Sequence, residues 1–218
     1  REDGFSGGAI YSTAADFFFQ AVFVATCMSI VSGAIAERMK LWVFLVFAVV
    51  MTGLIYPISG SWGWGGQAVF GLYSLTEDFA FKDFAGSGLV HFVGASAALA
   101  GVMLLGPRLG KYGPHGETRA IPGANLPLAT LGTFLLWFGW FGFNAGSALG
   151  ANGLAVHAFM TTNTSAASAM LSWMVIDMIR QGKPTVVGAA TGAILGLVAI
   201  TPGAGFVPIW SAFIIGAV

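Results

Sequence analysis

Between Ala120 and Ile176 the chain carries no charged residue. Charge is also missing from Phe17 to Ala36, from Leu41 to Thr76, from Phe84 to Pro107 and from Pro184 onward. Soluble proteins carry roughly 25% charged residues; this chain carries 8%, against 56% hydrophobic. Its mean hydropathy is +0.82. A helix needs about 20 mostly apolar residues to cross a bilayer. The first and third runs fit one helix each, and the second fits one helix plus a loop. The fourth fits two, and the last fits one helix and the start of another. A transmembrane barrel would show short segments of alternating polarity instead. The fold class is therefore an all-α polytopic membrane protein.

The runs predict helices over 15–36, 42–58, 86–106, 125–147, 155–178 and 185–201, with a truncated one from about 206. Of the nine basic residues, Arg38, Lys40, Arg108, Lys111, Arg119, Arg180 and Lys183 fall in alternate connections. Lys82 and Arg1 lie on the other side. Basic residues collect on the cytoplasmic face, so Asp83, with Glu77 and Asp78, is placed outside. The helix that follows Asp83 then descends past His91.

The 32 glycines suit close helix packing in a membrane bundle. Cys27, the single cysteine, has no disulfide partner and reads as a small buried apolar residue. The chain does not begin with Met, shows no signal-peptide pattern and ends in the apolar "SAFIIGAV". The expectation is an internal fragment, residues 1–218 forming one partial transmembrane domain.

Polar residues in apolar runs carry most of the functional information. Asp83 precedes Phe-Ala-Gly-Ser-Gly and reads as a helix N-cap, where free N–H groups and the helix dipole favour a carboxylate. Its charge also attracts cations from outside. His91 lies eight residues further on, about 12 Å below Asp83 at 1.5 Å per residue. An ionisable group at such depth points to function; the plainer alternative is a neutral histidine bonded to a neighbouring helix. His115 falls in a Gly/Pro-rich loop and reads as solvated, and His157 reads as interfacial.

Aromatic residues gather at the same outer level. Phe19 and Phe23 are at i, i+4 in "FFFQAVF", on one helix face. Trp62 and Trp64 close the second helix in "GSWGWGG", and Phe143 and Ser147 sit at i, i+4 in "WFGWFGFNAGS". Membrane interfaces commonly carry aromatics, so no single ring is informative. The set is: ring faces attract a cation by about 0.5–2 kcal/mol per contact, and a serine oxygen accepts a hydrogen bond from it.

These segments resemble the ammonium transporter family (Amt/MEP, with the Rhesus proteins as distant relatives), the bacterial branch in particular. "DFAGSGLVH" is similar to the family signature. The resemblance extends through "SGAIAERMKLW", "YPISGSWGWGG", "LGPRLGKYG", "LGTFLLWFGWFGFNAGS", "FMTTNTSAASAMLSW" and "GKPTVVGAATGAILGLVAITPGAG". It implies the ammonium transporter fold, with eleven helices in the full chain and about seven represented here, from helix three to the start of nine. It further implies a homotrimer with one pore per subunit in the cell membrane.

By the same resemblance, Trp64, Phe23 and Ser147 match the outer ammonium site. Phe19 lines its vestibule, Asp83 supports it, Phe23 and Phe143 match the stacked gate, and His91 matches the first of two pore histidines. The second would lie beyond Val218. Ser87 stands where many members have glycine. The implied function is ammonium/ammonia transport, with methylammonium as a second substrate. Its steps are cation capture, deprotonation and passage through an apolar histidine-lined pore. A PII-type regulatory protein on the cytoplasmic side is an implied partner. No cofactor, metal, nucleic acid or catalytic residue is expected. Rival readings are an ammonium sensor signalling through an absent C-terminal region, a Rhesus-like gas channel, which Trp64 argues against, and a membrane enzyme. The enzyme reading lacks a metal-ligand cluster and a nucleophile–base arrangement.

Overall fold

The computed structural model describes residues 11–65 and 74–218. Arg1, assigned above to the outer side, lies outside the described residues. The helices are α1 (Thr13–Ile35), α2 (Leu41–Trp64), α3 (Leu75–Phe79), α4 (Ser87–Leu105), α5 (Leu126–Asn144), α6 (Gly153–Gln181), α7 (Val186–Ile200) and α8 (Ile209–Ala217). Among the described residues, α1, α2, α4 and the segment Leu126–Ala148 are long and apolar enough to cross a membrane. At 29 residues, α6 is long enough but carries a polar stripe of Thr, Ser and Asn; α7 is apolar but only 15 residues long.

Starts and stops follow local chemistry. The side chains of Ser12, Asn125, Asn152 and Thr185 accept from the backbone N–H of Ala15, Leu128, Ala155 and Gly188, satisfying donors that would otherwise be orphaned. The fifth predicted helix continues past 178 to Gln181, so Arg180 stands in its last turn rather than in the connection. Gly182 ends it at φ 77°, with its N–H bonded to the Met178 carbonyl. The second predicted helix also continues, from 58 to Trp64. Pro57 cannot donate to a carbonyl one turn back, and the helix answers with a π-helical turn over Met51–Ile55 just before it. Ser59 and Ser61 hydroxyls donate to Tyr56 and Ile58 carbonyls beyond it.

The chain forms two compact units, residues 1–82 with 88–121, and 83–87 with 122–218. In the first, α1 packs on α4 through small residues. A side chain at Gly94 would place its Cβ 2.7 Å from the Cys27 carbonyl oxygen, and one at Gly101 would meet Ile35 at 2.9 Å. Cys27 is fully buried at this seam and unpaired.

In the second unit, α6 packs on α7 and α8. At Gly192 a Cβ would stand 2.8 Å from the Ala169 carbonyl oxygen, and at Gly196 2.7 Å from the Ala169 Cβ. Such approach strengthens van der Waals packing where lipid removes any hydrophobic drive between helices. Hydroxyls add hydrogen bonds across the seams: Ser165 to the Gly196 carbonyl at 2.8 Å, Ser168 to that of Phe213 at 2.6 Å, and Thr161 to that of Ala204 at 2.7 Å. Outward faces are apolar, with Trp42 and Leu104 among many exposed side chains. Exposure on that scale marks a surface covered by lipid or by further protein.

Candidate functional site

In the first unit, Phe19 and Phe23 are neighbours on α1, as their spacing requires, with ring centroids 4.7 Å apart. Phe23 meets Trp64, at the end of α2, edge-to-face at 5.8 Å. Phe23 is 3% exposed while Phe19 and Trp64 are half-buried, so one ring is fixed and two border accessible space. This cluster exists because α2 continues to Trp64; a helix ending at 58 would leave the indole in a loop.

His91 is buried, four residues into α4. The helix begins only at Ser87, so the eight-residue helical rise assumed from Asp83 does not apply. Residues Ser87–Phe92 are π-helical, a distortion frequent at functional sites. Beside them, Gly63 of α2 packs against Leu89, whose side chain fills the space a Cβ would need.

In the second unit, Asp83 Oδ1 accepts from the backbone N–H of Gly86 at 2.9 Å and of Ser87 at 3.0 Å. The capping role read from the sequence is therefore present, and Asp83 is buried. The segment is held from the other side as well. Phe84 N–H donates to the Pro202 carbonyl at 2.9 Å, and the Ser87 hydroxyl to that of Val198 at 3.0 Å. A glycine at 87 could not make this second bond, so serine adds an anchor here.

Ser147 is half-buried in the short 3₁₀ turn after α5. Its hydroxyl donates to the Phe143 carbonyl at 2.7 Å. With its proton committed, Ser147 Oγ presents only lone pairs to a further partner. Phe143 stacks on Trp140 at 5.5 Å, and Trp140 Nε1 donates to Thr201 Oγ1 at 2.8 Å. Trp140 went unremarked in the sequence, although its position three residues before Phe143 puts both on one face. His157 Nε2 lies 2.8 Å from the Val207 carbonyl oxygen; a carbonyl only accepts, so Nε2 carries the proton. His115 is exposed in its loop.

Two further polar groups gave no sequence signal. Asn144, fully buried, donates to Thr162 Oγ1 at 2.9 Å. Asp177, also buried, accepts from Gln181 Nε2 and from both the N–H and hydroxyl of Thr185, joining α6 to the start of α7. Among the described residues, no group of three or more His, Cys, Asp or Glu could hold a metal ion.

The chain is similar to known proteins in sequence and in fold. The family described as "Ammonium Transporter Family" matches residues 4–218. The chain is 50% identical over 211 residues to ammonium transporter Amt2 of Archaeoglobus fulgidus, covering 95% of this chain and 45% of that protein. It is 41% identical over 215 residues to an ammonium transporter of Aquifex aeolicus, covering 99% of this chain and 47% of that one. Among solved structures it superimposes on a "Sensor Amt Protein" with a TM-score of 0.85 at 40% identity, covering 92% and 50% of the two chains. Candida albicans Mep2 matches with a TM-score of 0.80 at 35% identity, covering 91% and 42%. The chain thus spans about half the length of these relatives. It is a multi-pass membrane protein with the architecture of the Amt and Mep2 structures, and it belongs to the ammonium transporter family.

Proposed function

We propose that the protein containing this chain carries ammonium nitrogen across the cell membrane by capturing the cation, removing its proton and passing ammonia through an apolar route. Trp64 and Phe23 supply ring faces and edges for the cation, and Ser147 supplies an oxygen acceptor. Phe19 lines the approach, and Asp83 holds the turn that starts α4 and adds negative charge at the mouth. By the resemblance, Phe23 and Phe143 form the gate.

Below it the route is apolar, and a bare cation there is costly. An apolar environment disfavours the charged form of an amine, so the proton leaves and crosses separately by way of the His91 ring nitrogens, and the two together move one net charge. His91 offers a ring nitrogen to hydrogen-bond with ammonia. Potassium cannot release a proton or donate a hydrogen bond, which gives selectivity without a tight cage. The observation that carries the reading is the Phe19–Phe23–Trp64 cluster, with Phe23 buried between two rings. Assembly as a homotrimer, a role in nitrogen uptake and docking of a PII-type protein on the cytoplasmic side belong to the same proposal.

The likeness to a sensor Amt protein favours a second reading, in which ammonium binding is signalled to an attached region. Uptake of labelled methylammonium separates the two. Cells lacking their own ammonium transporters and expressing the full-length protein are expected to accumulate label, with ammonium competing. Binding without accumulation would favour the sensor.

A further inference from the structure

Arg38, Arg108 and Lys111 converge on one cavity of about 400 Å³ at the foot of α1 and α4, lined also by Val102, Gly106 and Tyr112. The site is built from two helix ends. Arg38 stands three residues past α1, and its Nη1 donates to the carbonyl of Gly106, which closes α4, at 3.0 Å. That bond fixes the guanidinium at the negative end of the helix dipole. Its Nε is buried and has no hydrogen-bond partner among the described residues. An arginine has five N–H donors in a planar fork suited to phosphate oxygens, and here one is spent on Gly106.

The other charges are accounted for. Arg108 Nη1 pairs with Glu37 at 2.8 Å, with both side chains solvent-accessible. Lys111 Nζ donates to the Arg119 carbonyl at 3.3 Å, a neutral partner, and Glu117 is engaged by Arg119 instead. Arg38, Arg108 and Lys111 set against Glu37 leave the cavity with excess positive charge.

Exposed leucines stand close to its lining residues in sequence. Leu104 and Leu109 are 88% and 96% exposed, the latter directly beside Arg108 in sequence. A basic cavity whose lining residues are followed or preceded in sequence by bare leucines matches an amphiphile whose head is anionic and whose tail is hydrocarbon. Basic pockets at helix ends facing an anionic leaflet are suited to lipid headgroups.

We infer that this cavity binds the phosphate headgroup of an anionic phospholipid, with Arg38 and Lys111 as its main ligands and Leu104 and Leu109 against the acyl chains. Glu37 acts as an internal competitor that holds Arg108 when no lipid is present. The inference needs only the membrane-spanning fold and stands whether the protein transports or senses ammonium.

The test uses the full-length protein, purified and delipidated. Binding of fluorescent phosphatidylglycerol and phosphatidylcholine is measured in detergent micelles, with inorganic phosphate as a competitor. Phosphatidylglycerol is expected to bind at least about fivefold tighter, with the preference shrinking at high salt. Lys111→Gln should lower that preference severalfold. Glu37→Gln, which frees Arg108, should raise it; a merely structural loss would not. Equal binding of the two lipids, or a preference unmoved by both variants, would overturn the inference. Millimolar phosphate displacing the lipid completely would identify a free-anion site and overturn the lipid assignment.

Discussion

Phe23 meets the indole of Trp64 edge-to-face, with ring centroids 5.8 Å apart and planes at 88°. An indole face is the strongest side-chain partner for a cation. Trp64→Leu keeps an apolar side chain but removes that face. The apparent affinity for methylammonium should fall by about 2- to 30-fold, the equivalent of one cation–π contact of about 0.5–2 kcal/mol. An unchanged half-saturation concentration in competition uptake would remove the indole from the binding step.

Asp83 caps the turn before α4 and, in the proposed function, also adds charge at the mouth; a pair of substitutions separates the two. Asp83→Ala removes the acceptor for the Gly86 and Ser87 N–H groups. A lost cap costs about 0.5–2 kcal/mol, so thermal stability in detergent should fall by several degrees. Asp83→Asn keeps an acceptor and loses the charge. It should hold most of the stability while transport still drops, and full activity in that variant would confine Asp83 to capping.

The seam between α6 and α7 has no room for side chains at Gly192 and Gly196. Gly196→Leu would drive a branched side chain into the backbone of α6 near Ser165 and Ala166. It should abolish folded protein in membranes, measured as the monodisperse fraction after extraction. Gly132→Leu, at a position with open space, is the control and should be well tolerated.

Much of this was legible in the sequence because a bilayer enforces simple rules. A long unbroken apolar run crosses a bilayer as a helix, since barrel strands alternate in polarity, and α1, α4 and α7 lie within a few residues of the spans expected. Asp83 before two glycines and a serine signalled its cap, and the i, i+4 pair Phe19/Phe23 lies on one helix face as expected. What the sequence hid depends on contacts made late. The expected end at 58 fell short, because a π-helical turn just before Pro57 absorbs its missing N–H and α2 runs on to Trp64. Gly182, not the end of the apolar run, terminates α6. Trp140 matters through Thr201, sixty-one residues away, and no local pattern links them. The short helix α3 went unread because five residues give no period.

The central claim is that the cation is captured, deprotonated and passed along a route bordered by His91. The most direct measurement is the current evoked by an ammonium pulse in liposomes carrying the full-length protein, with potassium as control. The account predicts an ammonium-specific current, which His91→Ala either lowers about tenfold or leaves open to potassium. A His91→Ala protein with unchanged current and unchanged discrimination against potassium would contradict it.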